Sequence, residues 1–198
     1  MLHKFVRIQL EERLVQYAAF SQNGGIGKRG TDSTSLHLTL MQEVYHHKQY
    51  SSAFVFLDVR AAFDSACRAF LIEGSNERGI EPILLEAGVD PTVIRWVRAF
   101  HKNTWYKLDR SSDFCLFSQG VKQGDPLGDI LYNFLMASLI KALRKGLAAR
   151  GLESLFPFAA GPVFQCCGER DVDHVPCQDA SYMDDLFVAV ATPKGGGP

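Results

Sequence analysis

The chain has 198 residues, enough for one domain or one domain with a small appendage, and its 46% hydrophobic and 22% charged residues exclude a disordered polypeptide. A formal net charge of −1 is weak for a chain that must hold a nucleic-acid backbone by itself, because such affinity comes mainly from Lys and Arg neutralising phosphates. No apolar run reaches membrane-spanning length, and the start, Met1 to Arg7, lacks the apolar core of a secretion signal, so an intracellular, non-secreted protein without a membrane partner is expected.

Residues 4–20 set Phe5, Ile8, Leu10, Leu14, Val15 and Phe20 around Glu11, Glu12 and Arg13, which predicts an amphipathic helix. A glycine-rich loop, Gln22 to Gly30, leads into Thr31-Asp32-Ser33-Thr34 as a helix N-cap. The helix that follows is expected to bury Leu36, Leu40, Met41 and Val44. Ala53-Phe54-Val55-Phe56-Leu57-Asp58 is apolar without alternation, which predicts a central strand covered on both faces. Ala61-Ala62-Phe63-Asp64 turns the chain into a further helical stretch. Asp90-Pro91 opens the next helix, with Asp90 as cap and Pro91 in the first turn. That helix offers Ile94, Val97 and Phe100 to the core and Arg95, Arg98 and Lys102 to solvent. Residues 104–108 and 114–117 predict a strand pair. A second glycine loop, Gly120 to Gly128, opens a long helix on which Leu131, Leu135, Leu139, Leu143 and Leu147 step by four until Gly151 stops it. Residues 152–177 read as an irregular, variable insertion, and 191–198 as a disordered tail after a strand–turn–strand. This order predicts an α+β fold, a split βαβ, ferredoxin-like antiparallel sheet with helices on one face.

The chemistry concentrates in Tyr182-Met183-Asp184-Asp185, two adjacent carboxylates at a tight turn between apolar runs. Like charges this close repel, and one pKa should rise unless a cation sits between them. Asp58 supplies a further carboxylate at the end of another apolar run. Two strands that bring acids to one point predict a two-metal phosphoryl-transfer site. Three aspartates without a histidine suit hard Mg²⁺ better than zinc. Phe63, five positions after Asp58, can set a ring beside a bound sugar and exclude a 2′-hydroxyl; a plain core position is the other reading.

Phe56-Leu57-Asp58-Val59-Arg60-Ala61-Ala62-Phe63-Asp64-Ser65 resembles motif A of reverse transcriptases, Gly120-Val121-Lys122-Gln123-Gly124-Asp125-Pro126-Leu127 resembles their motif B, and Tyr182-Met183-Asp184-Asp185 resembles their motif C. Gln22-Asn23-Gly24-Gly25 through Thr34 resembles the fingers motif that precedes motif A in retrotransposons without long terminal repeats. The resemblance implies a polymerase palm over residues 53–190, partial fingers over 1–52 and no thumb. It implies an RNA template, a DNA or RNA primer, deoxynucleoside triphosphates and two Mg²⁺ ions, with Mn²⁺ as a substitute. By position, Asp58 and Asp184 resemble the metal-binding acids and Asp185 the third member of the triad. Phe63 resembles the sugar-selecting aromatic. Gln123 and Gly124 resemble the loop against the incoming nucleotide, and Lys28 and Arg29 lie where a fingers segment brings positive charge to the triphosphate.

Gly128-Asp129 stands where the family commonly has Ser-Pro, and Asp129 is expected to cap the long helix. Met183 stands where retrotransposon enzymes more often have alanine. Only residues 186–198 follow Asp185, so the thumb and other polyprotein domains are expected to be missing and processive synthesis with them. A decayed or domesticated palm that binds RNA or a protein partner is the alternative. An RNA-templated RNA polymerase is disfavoured by Phe63. The five cysteines, Cys67, Cys115, Cys166, Cys167 and Cys177, are odd in number and irregular in spacing, which fits a reducing compartment. Cys166, Cys167, His174 and Cys177 cluster but match no familiar zinc spacing, and read as a loop with buried or free thiols.

Overall fold

The computed structural model describes residues 2–74, 79–107, 114–117, 119–121, 124–153, 155–159, 172–176 and 178–193. Helix α1 (Leu2–Tyr17) and helix α2 (Thr31–His47) precede strand β1 (Tyr50–Asp58). Four helices follow: α3 (Ala62–Ser65), α4 (Arg68–Ile72), α5 (Ile83–Glu86) and α6 (Pro91–His101). The chain continues through β2 (Thr104–Lys107), β3 (Phe114–Phe117), α7 (Gly128–Ala148), β4 (Leu155–Ala159), β5 (Val172–Pro176), β6 (Asp179–Tyr182) and β7 (Asp185–Pro193). The fold is α+β, as the element order predicts.

The sheet that matters has three antiparallel strands in the order β1-β7-β6. Its central strand is β7, not β1. Leu186, Phe187, Val188 and Ala189 are all buried, whereas Val55, Phe56 and Leu57 of β1 are exposed. An apolar run states only that a strand is apolar; the neighbours it receives decide which run is covered, and among the described residues β1 is an edge. Helices also cover both faces of the sheet rather than one. Leu186 and Val188 join the main core with α1, α6 and α7. Phe187, Ala189 and Ala180 pack on the other side against Met41 and Tyr45 of α2.

Period explains which helical residues went inward. On α1, Val6, Leu10, Leu14 and Tyr17 make one stripe, while Phe5, Ile8 and Val15 flank it in solvent, as does Phe20 beyond the helix. On α2 the stripe is Met41 and Tyr45, with Leu38 packed beside them, and Leu36 and Leu40 face outward. Thr31 begins this helix; Gly30 holds the cap position and makes no side-chain cap bond. On α7 a four-residue step advances 40° too far per turn. The leucine row therefore does not coincide with the buried face: Leu131 is buried, Leu135, Leu143 and Leu147 are half-buried against the core and Leu139 is exposed, while Ile130, Phe134, Met136, Ala137 and Ile140 are buried beside it.

Local chemistry fixes the ends. The Asp90 carboxylate accepts from Thr92 N at 2.6 Å with Pro91 at the first helical position. Gly151, at φ +68°, closes α7 with bonds from Gly151 N to Ala148 O and from Leu152 N to Leu147 O. Asp129 does not cap α7. It lies inside the first turn and forms a two-pronged pair with Arg7 of α1, Nη1 to Oδ1 at 2.7 Å and Nη2 to Oδ2 at 2.8 Å. The turn into the helix is ordered by Asp125, whose Oδ1 accepts from Leu127 N at 2.8 Å.

The strand pair β2–β3 forms with Thr104 opposite Phe117. The stretch 152–177 is not irregular throughout: β4 and β5 pair antiparallel from Leu155 opposite Pro176 to Ala159 opposite Val172. Strand β7 continues to Pro193, three residues into the expected tail, and 194–198 lie outside the described residues. So do Cys166, Cys167 and Cys177; His174 falls in β5. Among the described residues no helix is long and apolar enough to cross a membrane.

Candidate active site

The register of β1 on β7 sets Asp58 directly opposite Asp185. Tyr182 pairs with Asp185 on the other side, which leaves Met183 and Asp184 as a two-residue hairpin loop. The three acids thus gather at one end of the sheet. Asp58 and Asp185 are exposed, Asp184 half-buried, and none of the three has an ion-pair partner among the described residues. Asp58 and Asp185 line a cleft of about 380 Å³ with Thr34, Leu38, Tyr182 and Phe187.

The hairpin is held in a conformation a methionine avoids. Met183 sits at φ +56°. The loop at residues 21–25 enforces it. Gln22 bridges to Ser181 beside β6, with Asn23 N donating to Ser181 O at 2.9 Å and Ser181 N to Ser21 O at 3.0 Å. Gly24 lies flat against the turn: a Cβ there would stand 2.1 Å from Met183 N. The other wall is α7, where Gln22 Nε2 donates to Asn133 O at 2.9 Å and Oδ1 at 3.1 Å. A segment that resembles a fingers motif therefore braces the acid-bearing turn.

A second brace holds the turn after Asp58. Ala61 takes φ +50° and starts α3. Gly120 N donates to Ala66 O and Val121 N to Phe63 O, each at 2.7 Å, and a Cβ on Gly120 would stand 2.5 Å from Asp64 O. Phe63 is half-buried, its ring 5.1 Å from that of Tyr132 on α7. Burial, then the charges of Asp184 and Asp58, push the Tyr132 phenol up to about 12. Phe63 and Tyr132 are accordingly neighbours.

Gly124 is exposed at φ +80° with open space around it, so the backbone angle and not crowding calls for glycine. Gln123 and Lys122 lie outside the described residues. Arg29 commits Nη1 to the carbonyls of Ala19 at 2.6 Å and Gln22 at 2.8 Å, bracing the loop. Lys28 is exposed, and neither it nor Arg29 lines the cleft of Asp58 and Asp185. Trp105 is exposed and meets Phe114 edge-on across β2–β3. Sequence reasoning missed Tyr132 and Asn133; two polar groups inside the apolar run Ile130 to Phe134 were the available signal.

The donor set suits a hard divalent cation in kind, being carboxylate alone, with Asp58 and Asp185 open to water and no ion-pair partner among the described residues. Among the described residues no three acidic, histidine or cysteine side chains yet converge on one point closely enough to hold an ion.

The chain matches the family described as reverse transcriptase (RNA-dependent DNA polymerase) over residues 9–195. It belongs to that family. It is also similar to the retrovirus-related Pol polyprotein from the type-2 retrotransposable element R2DM of Drosophila melanogaster, with 29% identity over 123 residues. That alignment covers 61% of this chain and 11% of the relative, so the chain spans a small part of the polyprotein's length.

Proposed function

We propose that this chain is the catalytic core of an RNA-directed DNA polymerase of a retrotransposon, adding deoxynucleotides to a primer 3′-hydroxyl on an RNA template. Residues 53–190 act as palm and 1–52 as partial fingers. The observation that carries the reading is the β1–β7 register, which sets Asp58 against Asp185 beside the Asp184 turn. Asp58, Asp184 and Asp185 would hold two Mg²⁺ ions. Such ions lower the pKa of an attacking hydroxyl and offset charge on the leaving pyrophosphate. The chain's own part is to keep three carboxylates at one sheet end, through the two loop braces, so that little reorganisation is left for the moment of transfer. Phe63, whose ring packs against that of Tyr132, is proposed to limit the room for a 2′-hydroxyl. Gln123, Gly124, Lys28 and Arg29 are proposed to face the nucleotide. Template and primer hold would come largely from elsewhere, given a net charge of −1.

Primer extension on an RNA template with Mg²⁺, offering dNTPs or NTPs, tests this. The expected result is short dNTP extension that falls by a hundredfold or more, on the order of the loss of one electrostatic contact, in Asp184→Asn. RNA binding without extension, unchanged by Asp184→Asn, would favour a domesticated palm instead. Equal use of NTPs would favour an RNA polymerase.

A further inference from the structure

The hairpin β2–β3 shows its faces the wrong way round. In an antiparallel pair with one face to solvent, apolar side chains turn inward and polar ones outward. Here Thr104 and Cys115 are half-buried, and Thr104 Oγ1 accepts from Arg68 Nη1 at 3.1 Å. The cross-strand pairs Trp105–Leu116 and Lys107–Phe114 stand on the other face. Their apolar members are open to solvent: Trp105 is 58% exposed, Phe114 60% and Leu116 80%. The two rings meet edge to face with centroids 5.0 Å apart, and Lys107 Nζ lies over the Phe114 ring at 5.6 Å. The base of the hairpin is fixed. Arg68 Nη2 donates to Gln119 O at 3.2 Å, while Gly120 N and Val121 N donate to Ala66 O and Phe63 O in the segment after Asp58. None of the four outward residues lines the cleft of Asp58 and Asp185.

Size and charge select the occupant. Two strands of four residues make a face roughly 13 Å long and 10 Å wide, far short of the ~800 Å² that each partner contributes to a stable protein interface. The same length spans two or three stacked bases at about 3.4 Å each. The face carries one charge, the cation of Lys107, and exposed Lys102 precedes the hairpin; neither lysine has an ion-pair partner among the described residues. Lysine is depleted at protein interfaces, whereas sites for single strands combine cations with exposed aromatic rings. Stacking also supplies affinity without the basic surface that a net charge of −1 denies this chain. We propose that the outward face of β2–β3 is a stacking platform for the unpaired bases of a single-stranded RNA, with Trp105 and Phe114 against bases and Lys107 against phosphate. The choice of RNA over DNA rests on the reading of the chain as an RNA-directed polymerase; the platform itself does not.

The test is fluorescence anisotropy of the full chain with a labelled oligouridine of about 12 nucleotides, within the span of known single-strand sites. The same RNA annealed into a duplex and the matching oligodeoxythymidine serve as competitors. Trp105→Ala is expected to weaken binding about tenfold, the loss of one stacked base, with an unchanged thermal midpoint because the side chain is exposed. Trp105→Tyr keeps a ring and should bind like the parent. Lys107→Gln should flatten the dependence of log affinity on log salt by about 0.7, one phosphate contact on a single strand. Trp96 and Trp105 are the two tryptophans of the chain. In a Trp96→Phe background, the emission of Trp105 should be quenched as the RNA binds. Parent-like affinity in Trp105→Ala overturns the platform, and so does a parent that binds no oligouridine. Duplex RNA competing as well as the single strand overturns it too, since paired bases offer no face to stack. A concentration-dependent dimer in sedimentation that Trp105→Ala abolishes makes the face a protein interface instead. Tighter binding of the oligodeoxythymidine overturns the choice of RNA. Primer extension by the same samples keeps the two readings apart: extension lost in Asp184→Asn alongside parent-like RNA binding in Trp105→Ala sinks the platform and leaves the polymerase standing, and RNA binding that needs Trp105 in a parent without extension does the reverse.

Discussion

Strand β6 starts and ends with carboxylates that live in opposite worlds. At its start, Asp179 is fully buried, and Arg144 answers it twice, Nε to Oδ1 at 2.7 Å and Nη2 to Oδ2 at 3.0 Å. Ser21 Oγ completes the cluster, 2.5 Å from Asp179 Oδ2 and 2.9 Å from Arg144 Nη2. Past its end, Asp185 and Asp58 are exposed and Asp184 half-buried, and none of the three has an ion-pair partner among the described residues. The difference teaches how this fold places charge. Where burial makes an unpaired carboxylate untenable, an arginine from α7 is supplied. At the turn, three acids are left without an ion-pair partner among the described residues, although nothing about the fold's stability requires them to be together.

The largest expected effect tests that division. Asp179→Asn leaves Arg144 four-fifths buried opposite a neutral group, and should cost about 3–5 kcal/mol in urea unfolding, the usual result of breaking one side of a buried pair. Asp185→Asn, an exposed change with no paired cation to strand, should stay within about 0.5 kcal/mol of the parent. Equal unfolding midpoints for the two variants would erase the distinction between the ends of the strand.

A smaller effect separates acids that are merely exposed from acids that are held. Gly24→Ala would force a methyl against the Met183 backbone, which cannot yield as a flexible side chain would. Overpacking of this kind costs about 1–3 kcal/mol, and the displaced turn should also lose Mn²⁺ binding. Thermal melts and Mn²⁺ titration of the same sample check both. A variant as stable as the parent would mean that the loop at 21–25 only rests against the turn.

These braces also mark the limit of what the sequence discloses. The acids were legible because each sits in a short local pattern: an apolar run, then an aspartate, at a turn. The Asp90-Pro91 helix start and the Gly151 stop were legible for the same reason, since caps are decided within a few residues. The need of Gly24 for closeness to Met183, and of Gly120 for closeness to Asp64, belongs to pairs of segments far apart in the chain and leaves only a glycine behind in each. The choice of β7 over β1 as central strand is of the same kind, because Phe54 to Leu57 and Leu186 to Val190 look alike until their neighbours are known. Arg29, read as charge for a triphosphate, also braces its own loop, its Nη1 engaged with two carbonyls. A basic residue's sequence neighbours do not say which acceptor it will find. The Asp129 position misled for the opposite reason: a good local cap signal lost to a partner, Arg7, brought from another helix.

That Arg7–Asp129 pair supplies the mildest test, because it lies between the two ends of β6 in burial, its side chains about a third exposed. Burial works to raise the Asp129 carboxyl, but hydrogen bonds and charge from Arg7 outweigh it and hold the group below its ordinary value of 3.8. A carboxyl depressed in the folded state adds stability that is present above the unfolded value and disappears as pH falls through the folded one. Comparison of the parent with Arg7→Gln in urea unfolding should therefore show a gap at pH 6 that closes toward pH 3, since apart from Asp129 and Glu11, whose 2.7 Å contact with Arg7 Nε is lost in the same change, the carboxylates act alike in both proteins. Solvent screening keeps the gap under about 1 kcal/mol, well short of the Asp179 effect. A gap that persists undiminished below the titration of Asp129 would mean that Arg7 stabilises α1 against α7 through the packing of its stem rather than its charge, and the pair would then belong with the apolar core and not on the scale that joins the two ends of β6.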